Sequence, residues 1–374
     1  MSAERIADVA VETYRSPIDP PIRNGRYTYA SHDVCLVRVT CESGAVGYGI
    51  GDGGVGLVEA AAMTRATVAS LRTALIGEHA LAIERIWQNL WVPKLLGRRG
   101  FTTRVVSAID LALWDLKGRL TGLSVADLLG RCHDSLPAYV AGGYYVDGQG
   151  TAELVAEMED HVAAGARAVK MKIGGASERE DLARVRAVRN AVGDDVRLLV
   201  DANNAYRVHE ALVMARKLEP LDVYWLEEPL MPDDYPGHAF LAARSPIPIA
   251  VGENEYTRYG FRDLIEHRAA TILNPDAQFV GGATEFMKVG ALAQAYDLPV
   301  APHGNPELHV HLASALPNAL IVEVARVRGD SLWTRFFPAR LPLVDGSVSP
   351  PDAPGFGIEL DDEALESMRV RVRE

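Results

Sequence analysis

Polar side chains recur at the carboxyl ends of successive apolar runs in the second half of the sequence. Runs such as VRLLVD, VYWLEE and IPIAVGE each have an acidic residue at or near their carboxyl end. The distance from each run to the next is about the length of one strand and one helix. Catalytic groups of a parallel barrel come from the ends of several strands on one face, so these side chains are expected to form one ring. The members are Asp201, Glu227, Glu253, Asp276, His303 and Glu323.

Three carboxylates on neighbouring strands predict a metal site. They would repel one another unless a cation lay between them, and a set of oxygen ligands is typical of Mg²⁺ rather than zinc. Asp201, Glu227 and Glu253 are the predicted ligands. Glu228 should point away from Glu227, because adjacent residues of a strand face opposite sides, and a structural role is expected for it. Any single acidic residue at a strand end could simply be a polar residue where the strand enters a loop. The regular spacing of the whole set favours a functional site.

Two lysines lie two residues apart in the run ARAVKMKIGG. In a strand they project to the same side, and this strand directly precedes that of Asp201. Lys170 and Lys172 are therefore expected beside the metal site. A buried lysine next to another cation has its pKa lowered, which favours a proton acceptor near neutral pH. The competing interpretation is a pair of surface lysines whose stems cover apolar surface.

A histidine on the other flank provides a second candidate base. Asp276, one repeat upstream, can orient His303 and make it more basic, and a base with its orienting group is a recurring catalytic signature. His309 and His311 belong to ELHVHL, which fits the start of a helix where residues two apart diverge. They are not interpreted as a metal pair.

Composition excludes several classes of protein. The chain has 374 residues and a formal net charge of −12, which argues against binding to nucleic acid. No apolar run approaches the ~18–20 residues that a membrane helix needs, and the first residues do not resemble a signal peptide. The three cysteines show no CxxC spacing, which fits reduced thiols. We expect a cytoplasmic protein.

The elements that position these residues change in character near residue 130. The first part predicts an α+β region, with a hairpin at Ser43-Gly44 followed by helices. The sequence GIGDGG fits G-x-G-x-x-G but follows a hairpin strand, so a tight loop is expected there instead of a dinucleotide site. The second part alternates helices with eight apolar runs, as in a (β/α) barrel. These runs are LPAYVAG, ARAVKMK, VRLLVD, VYWLEE, IPIAVGE, ATILNPD, LPVAPH and ALIVEV.

The motifs VKMK, VDANN, WLEEP, GEN, NPDAQFVGG, APH and IVEV, in this order, resemble the mandelate racemase subgroup of the enolase superfamily. The segment SAIDLALWDLKGRLTGLSVADLLG resembles the capping domain of that subgroup. The resemblance implies an α/β fold in which a (β/α)7β TIM-like barrel over residues 131–340 carries an α+β capping domain. Residues 1–130 and the tail 341–374 would form that domain. It also implies Mg²⁺ as cofactor, and we expect a homo-oligomer.

The same resemblance assigns roles to the ring. Lys172 would be one base, and His303 paired with Asp276 the other. Lys170 would neutralise the substrate carboxylate, and Glu323 would hydrogen-bond the developing enediolate. The other residues expected to contact substrate are Asn203, Arg23, Tyr27 and Tyr145, with Asn24, Arg26, Arg98, Arg99 and Tyr144 as further candidates in the lid or pocket.

The predicted activity is Mg²⁺-dependent abstraction of the proton α to a carboxylate, through an enediolate. Dehydration of a sugar acid to a 2-keto-3-deoxy acid is favoured, because basic and hydrogen-bonding lid residues suit a polyol. Racemisation or epimerisation of a 2-hydroxy acid and cycloisomerisation are alternatives. A carboxylate-binding scaffold barrel is the non-enzymatic alternative, and two opposed bases argue against it.

Overall fold

The computed structural model of the chain describes residues 4–52, 60–91, 98–325, 332–337 and 341–371. Its strands form two sheets, one made mainly of the three N-terminal strands and one made of strands from the rest of the chain. The strands are β1 (Ile6–Arg23), β2 (Thr28–Cys41), β3 (Val46–Asp52), β4 (Leu136–Ala141), β5 (Tyr145–Val146), β6 (Ala168–Lys172), β7 (Arg197–Asp201), β8 (Val223–Glu227), β9 (Ile249–Val251), β10 (Ile272–Leu273), β11 (Val322–Ala325) and β12 (Ser347–Val348).

Helices connect and cover both sheets. Ser124 begins one of them as predicted, since its hydroxyl accepts the N–H of Asp127. Two 3-10 turns, Arg72–Ala74 and Glu219–Leu221, extend longer helices. The α-helices are α1 (Ala60–Leu71), α2 (Ile83–Leu90), α3 (Phe101–Thr121), α4 (Val125–Leu129), α5 (Thr151–Ala163), α6 (Glu178–Val192), α7 (Val208–Leu218), α8 (Tyr235–Ala242), α9 (Thr257–Glu266), α10 (Gly282–Gln294), α11 (Pro306–Ala313), α12 (Leu332–Phe336) and α13 (Asp362–Glu366). Among the described helices, none combines the length and hydropathy needed to cross a bilayer.

The N-terminal sheet is antiparallel, with strand order β3-β2-β1-β5. The predicted hairpin is confirmed, because β2 and β3 pair in register around the turn at Gly44. Helix α3 packs across this sheet and closes its core with residues such as Ile109 and Leu113. Strand β5, which follows β4 in the chain, pairs with the end of β1 and so forms the edge of the sheet opposite β3.

Two glycines of GIGDGG have a different role from the one the sequence predicted. Gly49 and Gly51 lie inside β3 and not in a tight loop. A Cβ on Gly49 would come within 1.8 Å of the Ala108 carbonyl oxygen of α3. The glycines therefore allow a helix to approach the strand closely, as glycine in a strand often does. Gly53 and Gly54 lie outside the described residues.

The second sheet is curled and mostly parallel, in the order β10-β9-β8-β7-β6-β4-β11, with β12 antiparallel on β4. Both of its faces are buried: Leu198 and Val200 pack in the large outer core, and Leu199 between them packs in a separate inner cluster. Buried parallel strands with helical crossovers make this part a mixed α/β structure. The run LPVAPH forms only two parallel bridges, from Val300 to Leu273 and to Ala319.

The C-terminal segment returns to the N-terminal part of the molecule. The Val370 N–H donates to the Thr13 carbonyl (2.8 Å), and the Arg15 N–H donates to the Met368 carbonyl (2.8 Å). Gly355 forms a parallel bridge with Ser124. The tail is thereby paired with β1 and with the start of α4.

Candidate active site

Three acidic side chains meet at the carboxyl ends of three neighbouring strands. Asp201 ends β7, Glu227 ends β8, and Glu253 follows β9. One carboxylate oxygen from each lies within 4.8 Å of the others, and all three side chains are buried or nearly so. The predicted convergence of these residues is therefore present in the structure.

The local chemistry fits a divalent cation. Oε2 of Glu253 and Oδ1 of Asn203 are buried and have no hydrogen-bond partner among the described residues. Burial, together with the nearby Asp201 carboxylate, raises the pKa of Glu227 to about 7 against the opposing charge of Lys170. Buried like charges of this kind are ordinarily neutralised, and an oxygen-only set suits Mg²⁺.

The amine of Lys170 is fully buried and contacts carboxylates from β8, on one side of its own strand, and from β11, on the other. Nζ lies 2.8 Å from Glu227 Oε1 and 2.8 Å from Glu323 Oε2, and it also donates to the Tyr139 hydroxyl oxygen at 3.2 Å. Burial acts to lower the pKa of Lys170, but the carboxylates of Glu227 and Glu323 outweigh it and hold the pKa well above its usual value. The amine is a fixed positive charge at the floor of the site.

Lys172 faces the cluster from the same strand. Its Nζ donates to Asp201 Oδ2 at 2.5 Å and lies 5.1 Å from the centre of the Tyr144 ring. The sequence predicted a lowered pKa, and that is wrong for this set of side chains. Burial does act to lower the pKa, but the Asp201 carboxylate raises it by more, and Lys170 opposes only in part. The Asp201 carboxylate, 2.5 Å from the Lys172 Nζ, outweighs the neighbouring cation of Lys170 and decides the direction of the shift.

His303 lies on the other side of the carboxylates. Its Nδ1 is 2.9 Å from Asp276 Oδ2, and its Nε2 is 3.4 Å from Glu253 Oε2. Strands β7 to β10 separate β6, which carries the lysines, from the segment of His303. Desolvation acts to lower the pKa of His303, whereas Glu253 and the hydrogen bond with Asp276 raise it well above its usual value. The imidazole is thus oriented and basic.

Neighbouring polar residues hold these groups in place. The Asn203 N–H donates to Asp201 Oδ1 at 2.8 Å. Glu228 accepts from the Gly252 N–H at 2.9 Å and from Asn204 Nδ2 at 2.5 Å, so it ties the loops after β7 and β9 together, as expected of a structural residue.

His309 and His311 belong to α11, as predicted. His309 Nε2 accepts the Ala277 N–H at 2.9 Å, next to Asp276. His311 Nδ1 accepts the Ala126 N–H of α4 at 3.4 Å. Each ring therefore has its own contact with the backbone, and the two do not form a metal pair.

Comparison with known proteins places the chain in a family. Residues 6–130 match the model of the mandelate racemase/muconate lactonizing enzyme N-terminal domain, and residues 153–364 match that of the enolase C-terminal domain-like family. The chain belongs to the mandelate racemase/muconate lactonizing enzyme family of the enolase superfamily. The resemblance inferred from the motifs is confirmed.

Relatives of known activity align with nearly the whole chain of this family member. A 3,6-anhydro-α-L-galactonate cycloisomerase of Streptomyces coelicolor is 35% identical over 98% of this chain and 99% of its own. An arabinonate dehydratase of Saccharolobus solfataricus is 34% identical, covering 91% and 92%. A racemase of Streptomyces coelicolor, solved with bound magnesium, superimposes with a TM-score of 0.91 at 34% identity, covering 98% of this chain and 100% of that one. Magnesium in that neighbour agrees with the acidic cluster of this family member.

The lid candidates of this enolase-superfamily chain differ in what they contact. Arg23 donates to the Gly175 carbonyl at 2.9 Å and stacks over the Tyr145 ring, whose hydroxyl donates to Asp181 at 2.5 Å. Tyr27 is 53% exposed. Their predicted substrate contacts stay predictions.

The other basic lid candidates have protein partners or lie at the surface. Arg26 donates to the Asn204 carbonyl at 3.0 Å. Arg99 pairs with Glu255 and Asp263 on the outside of the second sheet. Arg98 is exposed. Basic loop residues are therefore not all directed at the carboxylate cluster.

Two tyrosines of the site were missed by sequence reasoning. Tyr139 donates to Glu323 Oε2 at 2.7 Å and pairs with it across β4 and β11. The sequence could have indicated Tyr139, because side chains alternate between the two faces of the strand LPAYVAG and Tyr139 is the polar side chain on its inner face. Tyr29 packs edge-on against Tyr144, with ring centres 6.1 Å apart. No sequence pattern predicts that contact, because it joins two segments far apart in the chain.

Proposed function

We propose that this enzyme removes the proton α to the carboxylate of a sugar acid and eliminates the β-hydroxyl, giving a 2-keto-3-deoxy acid. The observation that carries the proposal is the convergence of three carboxylates between Lys172 on one flank and the His303–Asp276 pair on the other. A scaffold that only bound a carboxylate would need the cations but not two opposed bases. The arabinonate dehydratase relative supports dehydration.

Asp201, Glu227 and Glu253 would hold Mg²⁺. When bound, the ion would stabilise the charge that gathers on the substrate carboxylate as the α-proton leaves. Lys170 lies against Glu227 and Glu323 with its charge fixed, so it is placed to neutralise a substrate carboxylate. Glu323 lies beside it and would hydrogen-bond the enediolate.

Lys172 and His303 would transfer the protons. One base takes the α-proton on its own face of the substrate; His303, protonated, gives a proton to the β-hydroxyl, which leaves as water. The enol that results loses the proton of its 2-hydroxyl, gains one at the β-carbon, and so becomes the 2-keto acid without net change in protons. A Lys or His base combined with Mg²⁺ is general in this superfamily. Asp276 keeps the His303 Nδ1 engaged, so Nε2 is the nitrogen directed at the site.

Cycloisomerisation is the second candidate, because the relative with 35% identity is a cycloisomerase of a sugar-derived acid. It begins with the same loss of an α-proton and differs in the bond that breaks or forms next. Racemisation would return the proton from the opposite base.

We also infer the finer architecture. The two bridges of Val300, to Leu273 and to Ala319, support closure of the curled sheet into a (β/α)7β barrel over residues 131–340. The contacts of the tail with β1 support a capping domain made of residues 1–130 and 341–374. The expected homo-oligomer stays a prediction.

A screen of aldonic and aldaric acids with Mg²⁺, read out as 2-keto acid, tests the proposal. The same acids in D₂O report α-proton exchange, which detects a racemase or cycloisomerase as well. Lys172→Ala and His303→Ala are each expected to lower turnover by about 10²- to 10⁴-fold, the usual loss for a general base. Both should retain ligand binding. Unchanged turnover in both variants would contradict the proposal.

A further inference from the structure

The loop after β4 is anchored by one of its two adjacent tyrosines. The Tyr145 hydroxyl donates to Asp181 at 2.5 Å and accepts the Gly175 N–H at 3.0 Å. The Arg184 guanidinium lies 3.9 Å from the centre of the same ring. Tyr145 is therefore held against the loop that follows β6, and its position fixes that of its neighbour, Tyr144.

The approach of this loop to β6 is set by a glycine. Gly143 has a φ of +63°, and a Cβ there would lie 2.5 Å from the Met171 Cβ. Met171 is the residue between the two lysines. A larger residue at 143 would push the loop, and with it Tyr144, away from the lysine strand.

Tyr144 contacts the proposed base directly. The Lys172 Nζ lies 5.1 Å from the centre of the Tyr144 ring, within the ~6 Å range of a cation–π contact. The same nitrogen donates to Asp201. The amine thus contacts an aromatic face as well as a carboxylate.

A second tyrosine supports the ring from the N-terminal sheet. Tyr29, in β2, packs edge-on against Tyr144 at an interplanar angle of 83°. The Tyr29 hydroxyl accepts from Asn24 Nδ2 at 2.9 Å, and the buried Asn24 also accepts the N–H groups of Arg26 and Tyr27. The aromatic pair therefore links the turn after β1 to the lysine of the second sheet.

We propose that Tyr144 is a positioning residue for Lys172: the face of its ring confines the amine to one place beside Asp201, and Tyr29 keeps the ring in place. The inference rests on the proposed function, in which Lys172 exchanges the α-proton on one face of the substrate. A lysine side chain is flexible, and a displacement of about 1 Å at a reacting centre costs about 10²-fold in rate.

Crystal structures of the parent protein, Tyr144→Phe and Tyr144→Leu, each with Mg²⁺, test the geometry without substrate. Phenylalanine keeps the ring face, so the Lys172 Nζ should stay beside Asp201. Leucine removes it, and the Nζ should move by about 1 Å or more, or become disordered. An unmoved, ordered amine in Tyr144→Leu would overturn the proposal.

Exchange kinetics in D₂O test the consequence. The probes are the two α-epimers of the aldonic acid that exchanges fastest with the parent, since each presents its α-proton to one base. Tyr144→Leu should lose about 10- to 100-fold on the Lys172 face and keep the His303 rate. Tyr144→Phe should match the parent on both faces. Tyr296→Leu, which removes an exposed tyrosine, is the control and should also match it.

The alternatives give distinct results. If Tyr144→Leu loses the same exchange rate on both faces, Tyr144 has a general structural role. If Tyr144→Phe loses as much exchange rate as Tyr144→Leu, the hydroxyl contacts substrate. Either result overturns the proposal. If the parent exchanges no acid, the proposed function fails, and the crystal structures alone decide whether Tyr144 positions the amine.

Discussion

Lys170 and Lys172 lie on the same face of one strand and have different partners. Lys170 lies between Glu227 and Glu323, each 2.8 Å away, whereas Lys172 contacts Asp201 and the ring of Tyr144. Carboxylates on both sides hold the charge of Lys170, whereas one carboxylate and one aromatic ring contact the amine of Lys172. The spacing of two residues predicts the shared face but not this division of roles, because the partners come from other strands.

Asp276→Asn tests whether the carboxylate makes His303 an effective base. Asparagine keeps the size of the side chain but removes the charge that orients the imidazole and favours its protonated form. We expect kcat to fall by about 10²- to 10⁴-fold with little change in KM. Steady-state kinetics on the acid identified by the screen measures this. Asp352→Asn is the matched control, because its side chain is 91% exposed. A normal kcat in Asp276→Asn would show that His303 needs no orienting group.

At the scale of elements, buried carboxylates connect helix α3 to β3, to the start of α10 and to the C-terminal tail. Asp110 accepts from the Thr284 N–H at 2.9 Å and from its hydroxyl at 2.6 Å, at the start of α10. Asp115 accepts from the Tyr48 N–H of β3 and from the Phe356 N–H of the tail. Each carboxylate thus connects α3 to a segment far away in the chain.

Asp110→Asn is expected to change the pH dependence of stability. Burial raises the pKa of Asp110 from 3.8 to about 7 in spite of the Thr284 hydrogen bonds. The folded protein therefore keeps a proton that the unfolded chain loses, and this contribution to stability declines as the pH rises between these values. The unfolding free energy of Asp110→Asn, relative to the parent, should rise from about pH 4 to 7 and then level off. Urea denaturation across this range measures it; a difference independent of pH would contradict the assignment.

The contact between α3 and β3 depends on glycine for steric reasons. A Cβ on Gly49 would overlap the backbone of α3 at Ala108 and Ala112. Gly49→Ala should cost about 3 kcal/mol of unfolding free energy, at the upper end for overpacking. Gly44→Ala is the matched control: its φ of +86° is strained for alanine, but nothing lies within 4 Å, so about 1 kcal/mol is expected. If Gly49→Ala and Gly44→Ala shift the urea midpoint by similar amounts, the backbone of α3 moves to accommodate the added Cβ, and the steric explanation is wrong.

At the scale of the whole molecule, the sequence predicted the parts that repeat and missed those that depend on packing. Strand ends such as Asp201 and Glu227 were predictable, because apolar runs and helices alternate and parallel strands end on one face. The strand glycine Gly49 and the aromatic contact of Tyr29 were not, since both depend on a partner from a distant segment. The sign of the Lys172 pKa shift was missed because it depends on distances to several charges at once.

Magnesium is expected to stabilise the folded protein through the acidic cluster. A ligand that binds only the folded state adds about 2.7 kcal/mol at 100 times its Kd, which raises Tm by several degrees. Glu253→Gln should lose this gain, since Glu253 supplies one of the three converging carboxylates, and its Oε2 accepts no hydrogen bond from the described residues. Without Mg²⁺ the same variant should differ little in stability from the parent, because it relieves repulsion among three carboxylates but also loses the pairing with His303. Thermal unfolding of both proteins with Mg²⁺ and with EDTA measures the four values. A Tm lowered equally under both conditions would mean that Glu253 stabilises the fold and does not bind the ion.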